Sequence, residues 1–203
     1  MKEKGFTLIE VIVSIAIFAL LFTGVVELVG KIFTQAGGQS LLLSNADQAR
    51  KIVFAFADEI RNATYGNDGS YPVAEANDQE IIFFSSEPQN PQIADKIRYY
   101  ISGNALYRGI TVPSGSPLSY NGANEQSTKI EDTVANGTTP LFYYYDGNYD
   151  GTTSPLTQPV NLTQIRFIKI NMVIPNPAGT QTNNTFPITG GATLRNLKTN
   201  LGD

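Results

Sequence analysis

Residues 4–33 read KGFTLIEVIVSIAIFALLFTGVVELVGKIF, an apolar run broken early by a single carboxylate. From Phe6 to Val26 the only charged residue is Glu10. A helix of that length, at about 1.5 Å per residue, covers roughly the 30 Å of a bilayer's hydrocarbon core. The stretch therefore predicts a membrane-spanning helix, and the placement of Glu10 within it demands a reason. Lys2 and Lys4 precede the run, while Glu27 follows it before Lys31. The excess of positive charge on the N-terminal flank predicts an N-in, C-out orientation.

A cleaved secretory signal would have a shorter apolar core followed by a small-residue cleavage site, and no such site follows this run. A plain signal anchor, with Glu10 tolerated near the interface, is the bland alternative. It leaves unexplained the residues before Phe6, Met1-Lys2-Glu3-Lys4-Gly5, which form a short charged leader ending in glycine.

That leader, followed directly by GFTLIEVIVSIAIFALL, resembles the signature of type IV prepilins and pseudopilins. The resemblance implies a prepilin peptidase that cuts between Gly5 and Phe6 on the cytoplasmic side, N-methylation of the new terminal Phe6, and retention of the apolar helix. It also implies a partner for Glu10, the N-terminal amine of a neighbouring subunit, which makes Glu10 an assembly residue. The residue types suit the processing step. Gly5 lets extended backbone enter a protease cleft closely, and Phe6 offers a bulky apolar group beyond the scissile bond.

The 203 residues suffice for one globular domain with an appendage. Cysteine and histidine are both absent, which removes disulfides, thiolate nucleophiles, and the commonest general base and metal ligand. A net charge of −4, with no basic cluster beyond the extreme N-terminus, argues against direct nucleic-acid binding. A membrane-anchored hydrolase would have to rely on paired carboxylates, and the sequence announces no such pair. The chain is read as a non-enzyme.

Beyond the apolar run, Leu42, Ala46, Ala49, Val53, Phe56, Ile60 and Ala63 recur at alternating spacings of a helical face. The helix is predicted to continue to about Tyr65, with a bend at Gly37-Gly38. After Gly66 the pattern changes to the strand-like runs EIIFFSS, KIRYYIS, NALYRGI, PLFYYYD and QIRFIKINMVI, the last covering Gln164 to Ile174. Gly103-Asn104 sits between two of them as a hairpin turn. Between Thr111 and Thr139 the Ser-, Gly- and Asn-rich composition predicts a long surface loop.

The expected fold is α+β and pilin-like, a long N-terminal helix packed on a mostly antiparallel sheet. The expected division is a leader over 1–5, a helix over 6–65 (assembly part 6–33, packed part 34–65) and an exported β-rich domain over 66–203. The helix segment LLLSNADQARKIVFAFADEIRNATYG, the strand order and a closing TLRNL resemble minor pilins and pseudopilins of the PulJ/PilW-like kind.

That resemblance implies a structural subunit of a type IV pilus, a type II secretion pseudopilus or a DNA-uptake filament. Its implied partners are other pilin or pseudopilin subunits, prepilin peptidase and an inner-membrane assembly platform. Its implied location is the cytoplasmic membrane first, then a periplasmic or cell-surface filament. An adhesin-like exported domain that never enters a filament is the alternative.

One stretch bears on a cofactor. DGNYDG places Asp146, Asn148 and Asp150 at the spacing of the first half of a calcium loop, but Thr157 stands where a bidentate Glu belongs. An ordinary Asx-rich turn is the competing reading. Tyr143, Tyr144 and Tyr145 could serve as an aromatic platform, but strand alternation favours burial against the core.

Overall fold

A computed structural model describes residues 7–87, 90–175 and 185–195, without the side chains at 35, 38–42 and 87. Helix α1 (Leu8–Arg61, 54 residues) is about 80 Å long. It is unbroken at Gly37-Gly38 and closes at Arg61, short of Tyr65, with Asn62 as C-cap. The Asn62 N–H is satisfied by the carbonyls of Asp58, Glu59 and Ile60.

The rest of the chain forms two antiparallel sheets. In the first, β1 (Val73–Ala76), β2 (Glu80–Glu87), β3 (Asn90–Ser102), β4 (Ala105–Thr111) and β5 (Gln126–Glu131) pair in chain order. In the second, β6 (Phe142–Tyr145), β7 (Phe167–Pro175) and β8 (Thr185–Thr193) do the same. Gly103, at φ +62°, takes the first central position of the two-residue β3–β4 turn, where glycine is required.

The sequence expectation of a continuous loop over Thr111–Thr139 is corrected by β5, which pairs Thr128 with Arg108 and Ser127 with Gly109. No β5 residue is fully buried, so the strand is held by its backbone ladder and carries no apolar alternation to announce it. Similarly, β7 begins at Phe167, because Leu162–Gln164 form a short 3-10 turn capped by the Asn161 side chain.

The outer half of α1 presents the predicted stripe to both sheets. Ala46, Ala49, Val53, Phe56 and Ile60 are buried, as is Ala63 just past the helix end, while the Leu42 side chain lies outside the described residues. Phe56 is the centre of the packing. Its ring meets Tyr99 edge-on at 5.2 Å and Phe83 at 6.1 Å in the first sheet, and Phe142 at 5.4 Å in the second. Tyr144 is buried as the core reading requires, and its hydroxyl donates to the Asn77 carbonyl, tying the second sheet to the β1–β2 turn.

Polar contacts fix the helix on the first sheet. The Glu59 carboxylate accepts from the Tyr99 hydroxyl at 2.8 Å and from the Arg108 guanidinium. Burial, reinforced by the adjacent Glu59 charge, holds the Tyr99 phenol well above its usual range, so it remains a donor at any physiological pH.

On β8 two neighbouring glycines stand where a side chain is excluded, one by the helix and one by β7. A Cβ at Gly190 would collide with Cγ1 of Val53, and one at Gly191 would lie 2.5 Å from the Ile168 carbonyl. Gly190→Ala is therefore expected to destabilise the folded chain by about 1–3 kcal/mol, the usual cost of overpacking. The check is urea unfolding of the full chain in detergent micelles. Val53→Ala in the same background should recover part of the loss, and no recovery would show that the collision is not the cause.

Candidate functional site

The inner half of α1 differs in kind from the outer half. Leu8–Thr34 is apolar and long enough to cross a membrane, and none of it is buried by the other described residues. Its largest side chains project on every side, with Leu8, Phe18, Leu20 and Phe33 each more than 70% exposed. A helix that is apolar all round has its place in lipid or among other helices, because water would penalise every face.

Its few polar groups are satisfied locally. The Ser14 hydroxyl donates to the Glu10 carbonyl, that of Thr23 to Ala19, and that of Thr34 to Gly30 and Lys31. Such back-bonding leaves these hydroxyls without an unmet demand in hydrocarbon. Glu27 and Lys31 pair at 2.9 Å one turn apart, near the outer end of the span.

The geometry at Glu10 supplies a contact that the charge pattern alone did not suggest. Thr7 is the N-cap of α1, and Glu10 stands at its N3 position. Glu10 Oε2 accepts from the Thr7 backbone N–H and the Thr7 hydroxyl, both at 2.8 Å, while the Glu10 N–H points back to Thr7 Oγ1 at 3.4 Å. This is a capping box, readable as Thr-x-x-Glu before an apolar run. It engages one carboxylate oxygen. No cation faces Glu10 among the described residues. Gly5 and Phe6, the expected processing residues, lie outside the described residues.

The three candidate calcium ligands lie together in the turn after β6, where both aspartate side chains already accept hydrogen bonds from within the turn. Asp146 accepts from the Asn148 backbone and side chain. Asp150 Oδ1 accepts from the backbone and hydroxyls of both Thr152 and Thr153. These four bonds, led by that from the Thr153 side chain, hold the Asp150 carboxyl well below its usual range. Asp146 and Asp150 thus act as Asx-type turn caps. Among the described residues, no three His, Cys, Asp or Glu side chains converge as a metal site.

Comparison with known families adds one finding at the N-terminus. Residues 1–26 match the prokaryotic N-terminal methylation motif. No curated protein matches the chain. The matched segment covers the charged leader, Gly5, Phe6, the capping box and most of the unburied apolar helix. This motif marks type IV pilin-like proteins, which are substrates of prepilin peptidase, and here it precedes an apolar helix suited to a membrane and the antiparallel β domain of a pilin-like arrangement.

Proposed function

We propose that the chain is a minor pilin or pseudopilin, a structural subunit of a type IV pilus or type II secretion-like filament. The peptidase removes residues 1–5, Phe6 becomes the N-methylated terminus, and the precursor waits in the cytoplasmic membrane with its β domain outside. An assembly platform then moves the helix from lipid into a bundle of like helices. The observation that carries this reading is the pairing of the methylation motif with an all-round apolar helix that none of the described residues covers.

Within such a bundle the helix exchanges lipid for packed side chains, and Glu10 exchanges a lone charge for an ion pair with a neighbour's terminal amine. Attraction and the penalty for mispairing both grow as the dielectric falls, so the pair sets axial register between subunits. The PulJ/PilW-like helix and strand order favours a minor role over a major one.

The test is quantitative mass spectrometry of sheared filaments and membranes from the native cell. The expected result is an N-methylated peptide beginning at Phe6, present in filaments at a low ratio to the major subunit. An intact chain beginning at Met1 and confined to membranes would replace this reading with a signal-anchored exported domain.

A further inference from the structure

Helix α1 has a sharply defined beginning. Thr7 stands in extended backbone, at φ −79° and ψ 151°, and the next residue is already helical. The first backbone bond of the helix runs from the Val11 N–H to the Thr7 carbonyl at 3.3 Å. Two N–H groups that would otherwise seek carbonyls further back, those of Thr7 and Glu10, are met by the side chains of the capping box. The bond expected to be cut, Gly5-Phe6, comes immediately before this start.

That spacing bears on cleavage. Inside a helix, a peptide bond has its N–H and carbonyl tied to residues one turn away. A protease needs the same bond in extended backbone, with those groups free. Water satisfies a frayed helix end, but at the edge of hydrocarbon a bare N–H is costly. With the box broken, the nearest carbonyls for the Thr7 and Glu10 donors are those of Glu3 and Phe6, and taking them winds the helix backward. The Gly5 carbonyl then accepts from Ile9, and the bond to be cut lies within a helical turn. Gly5 resists this winding through its poor helix propensity, and the box adds to that resistance.

We propose that Thr7 is a positioning residue for leader removal: its side chain, together with Glu10, stops α1 at Leu8 and keeps Gly5-Phe6 extended for prepilin peptidase. In this role Thr7 needs no contact with the peptidase. The proposal rests on the reading of the chain as a peptidase substrate cut after Gly5, and it gives the first turn a task that precedes assembly. A backward-wound leader is a form that the peptidase does not bind, so the effect falls on KM and not on kcat. Loss of an N-cap to alanine shifts such an equilibrium by about fivefold.

The test is cleavage of the full-length precursor in detergent micelles by solubilised membranes that contain prepilin peptidase. Initial rates are read, because a several-fold change is lost in a cellular pool that has time to mature. Thr7→Ala and Thr7→Val are expected to raise KM about fivefold with kcat unchanged, valine keeping the branched shape of threonine but accepting no hydrogen bond. Thr7→Ser and Thr7→Asn, both good N-caps and different in shape, are expected to keep the native KM. Gly5-Phe6 is the only Gly-Phe pair in the sequence, so isotopic labelling of glycine carbonyls together with phenylalanine nitrogens marks this one bond. Its carbonyl resonance in the uncleaved precursor should move toward helical values in the alanine and valine variants only. Equal KM for the native, alanine and valine precursors overturns the proposal, while cleavage itself sustains the substrate reading. Rescue by serine but not by asparagine also overturns it, since a shape-specific contact with the peptidase would then be the cause. A raised KM without movement of the Gly5 resonance does the same. A native precursor that the peptidase leaves intact overturns both the proposal and the reading beneath it.

Discussion

Phe56→Ala is expected to destabilise the β domain by about 3–5 kcal/mol, the range for deleting a fully buried aromatic side chain from a core. The upper part of that range is expected because Phe56 has no exposed surface and its neighbours come from both sheets: Phe83 and Tyr99 from the first, Phe142 from the second. Each neighbour is anchored by a strand ladder, so the void cannot close by local collapse. The measurement is urea unfolding of the full chain in detergent micelles, followed by tyrosine fluorescence, since the protein has no tryptophan. Phe54→Ala, two positions away and exposed, serves as the internal comparison and should move the midpoint by less than about 0.5 kcal/mol equivalent. Equal small shifts for the two variants would mean that the helix is not the wedge joining the sheets.

This contrast between neighbouring phenylalanines shows why the helix was legible in the sequence. A stripe that must meet two sheets over several turns has to repeat at helical spacing, and Ala49, Val53, Phe56, Ile60 and Ala63 do so. The strands with a buried face were legible for the same reason. Ile81 and Phe83 on β2, and Ile168, Ile170 and Met172 on β7, alternate or run apolar because they line the core. β5 was not legible, because its residues are at least partly exposed and only backbone pairing with β4 makes it a strand. β8 was hidden by its own function in packing. Gly190 and Gly191 let α1 and β7 approach, and glycines in a strand weaken the pattern by which strands are recognised. The division into two sheets was equally invisible, since it depends on which edges pair and not on any single run.

At the site the balance was different. The leader, Phe6 and Glu10 stand out because charge in an apolar run is costly and therefore conspicuous. The capping box was overlooked although Thr7 and Glu10 display its spacing, because a carboxylate in hydrocarbon draws attention to its charge before its hydrogen bonds. The two properties belong to different events. Capping organises the first turn of the chain itself, whereas in the proposed filament the charge awaits a cation from a second chain.

Glu10→Gln separates those two events, and it is expected to abolish incorporation into filaments while leaving membrane insertion and processing at Gly5-Phe6 intact. Glutamine serves in a capping box much as glutamate does, so the first turn of α1 keeps its contacts with Thr7. What glutamine cannot supply is the negative charge. Removing one partner of an ion pair in a low-dielectric bundle leaves the other unpaired, at a cost of about 3–5 kcal/mol. A loss of that size lowers an equilibrium by more than about a hundredfold, so the filament band should fall below detection while the membrane band persists. Glu10→Val should behave likewise and additionally lose the cap, which by itself costs only about 0.5–2 kcal/mol. Thr7→Ala, which keeps the charge and breaks the cap, should therefore retain filaments at reduced yield. The readout is immunoblotting of sheared filament and membrane fractions. Should Glu10→Gln reach filaments at the native level while Thr7→Ala does not, capping rather than charge would be what assembly requires of this residue.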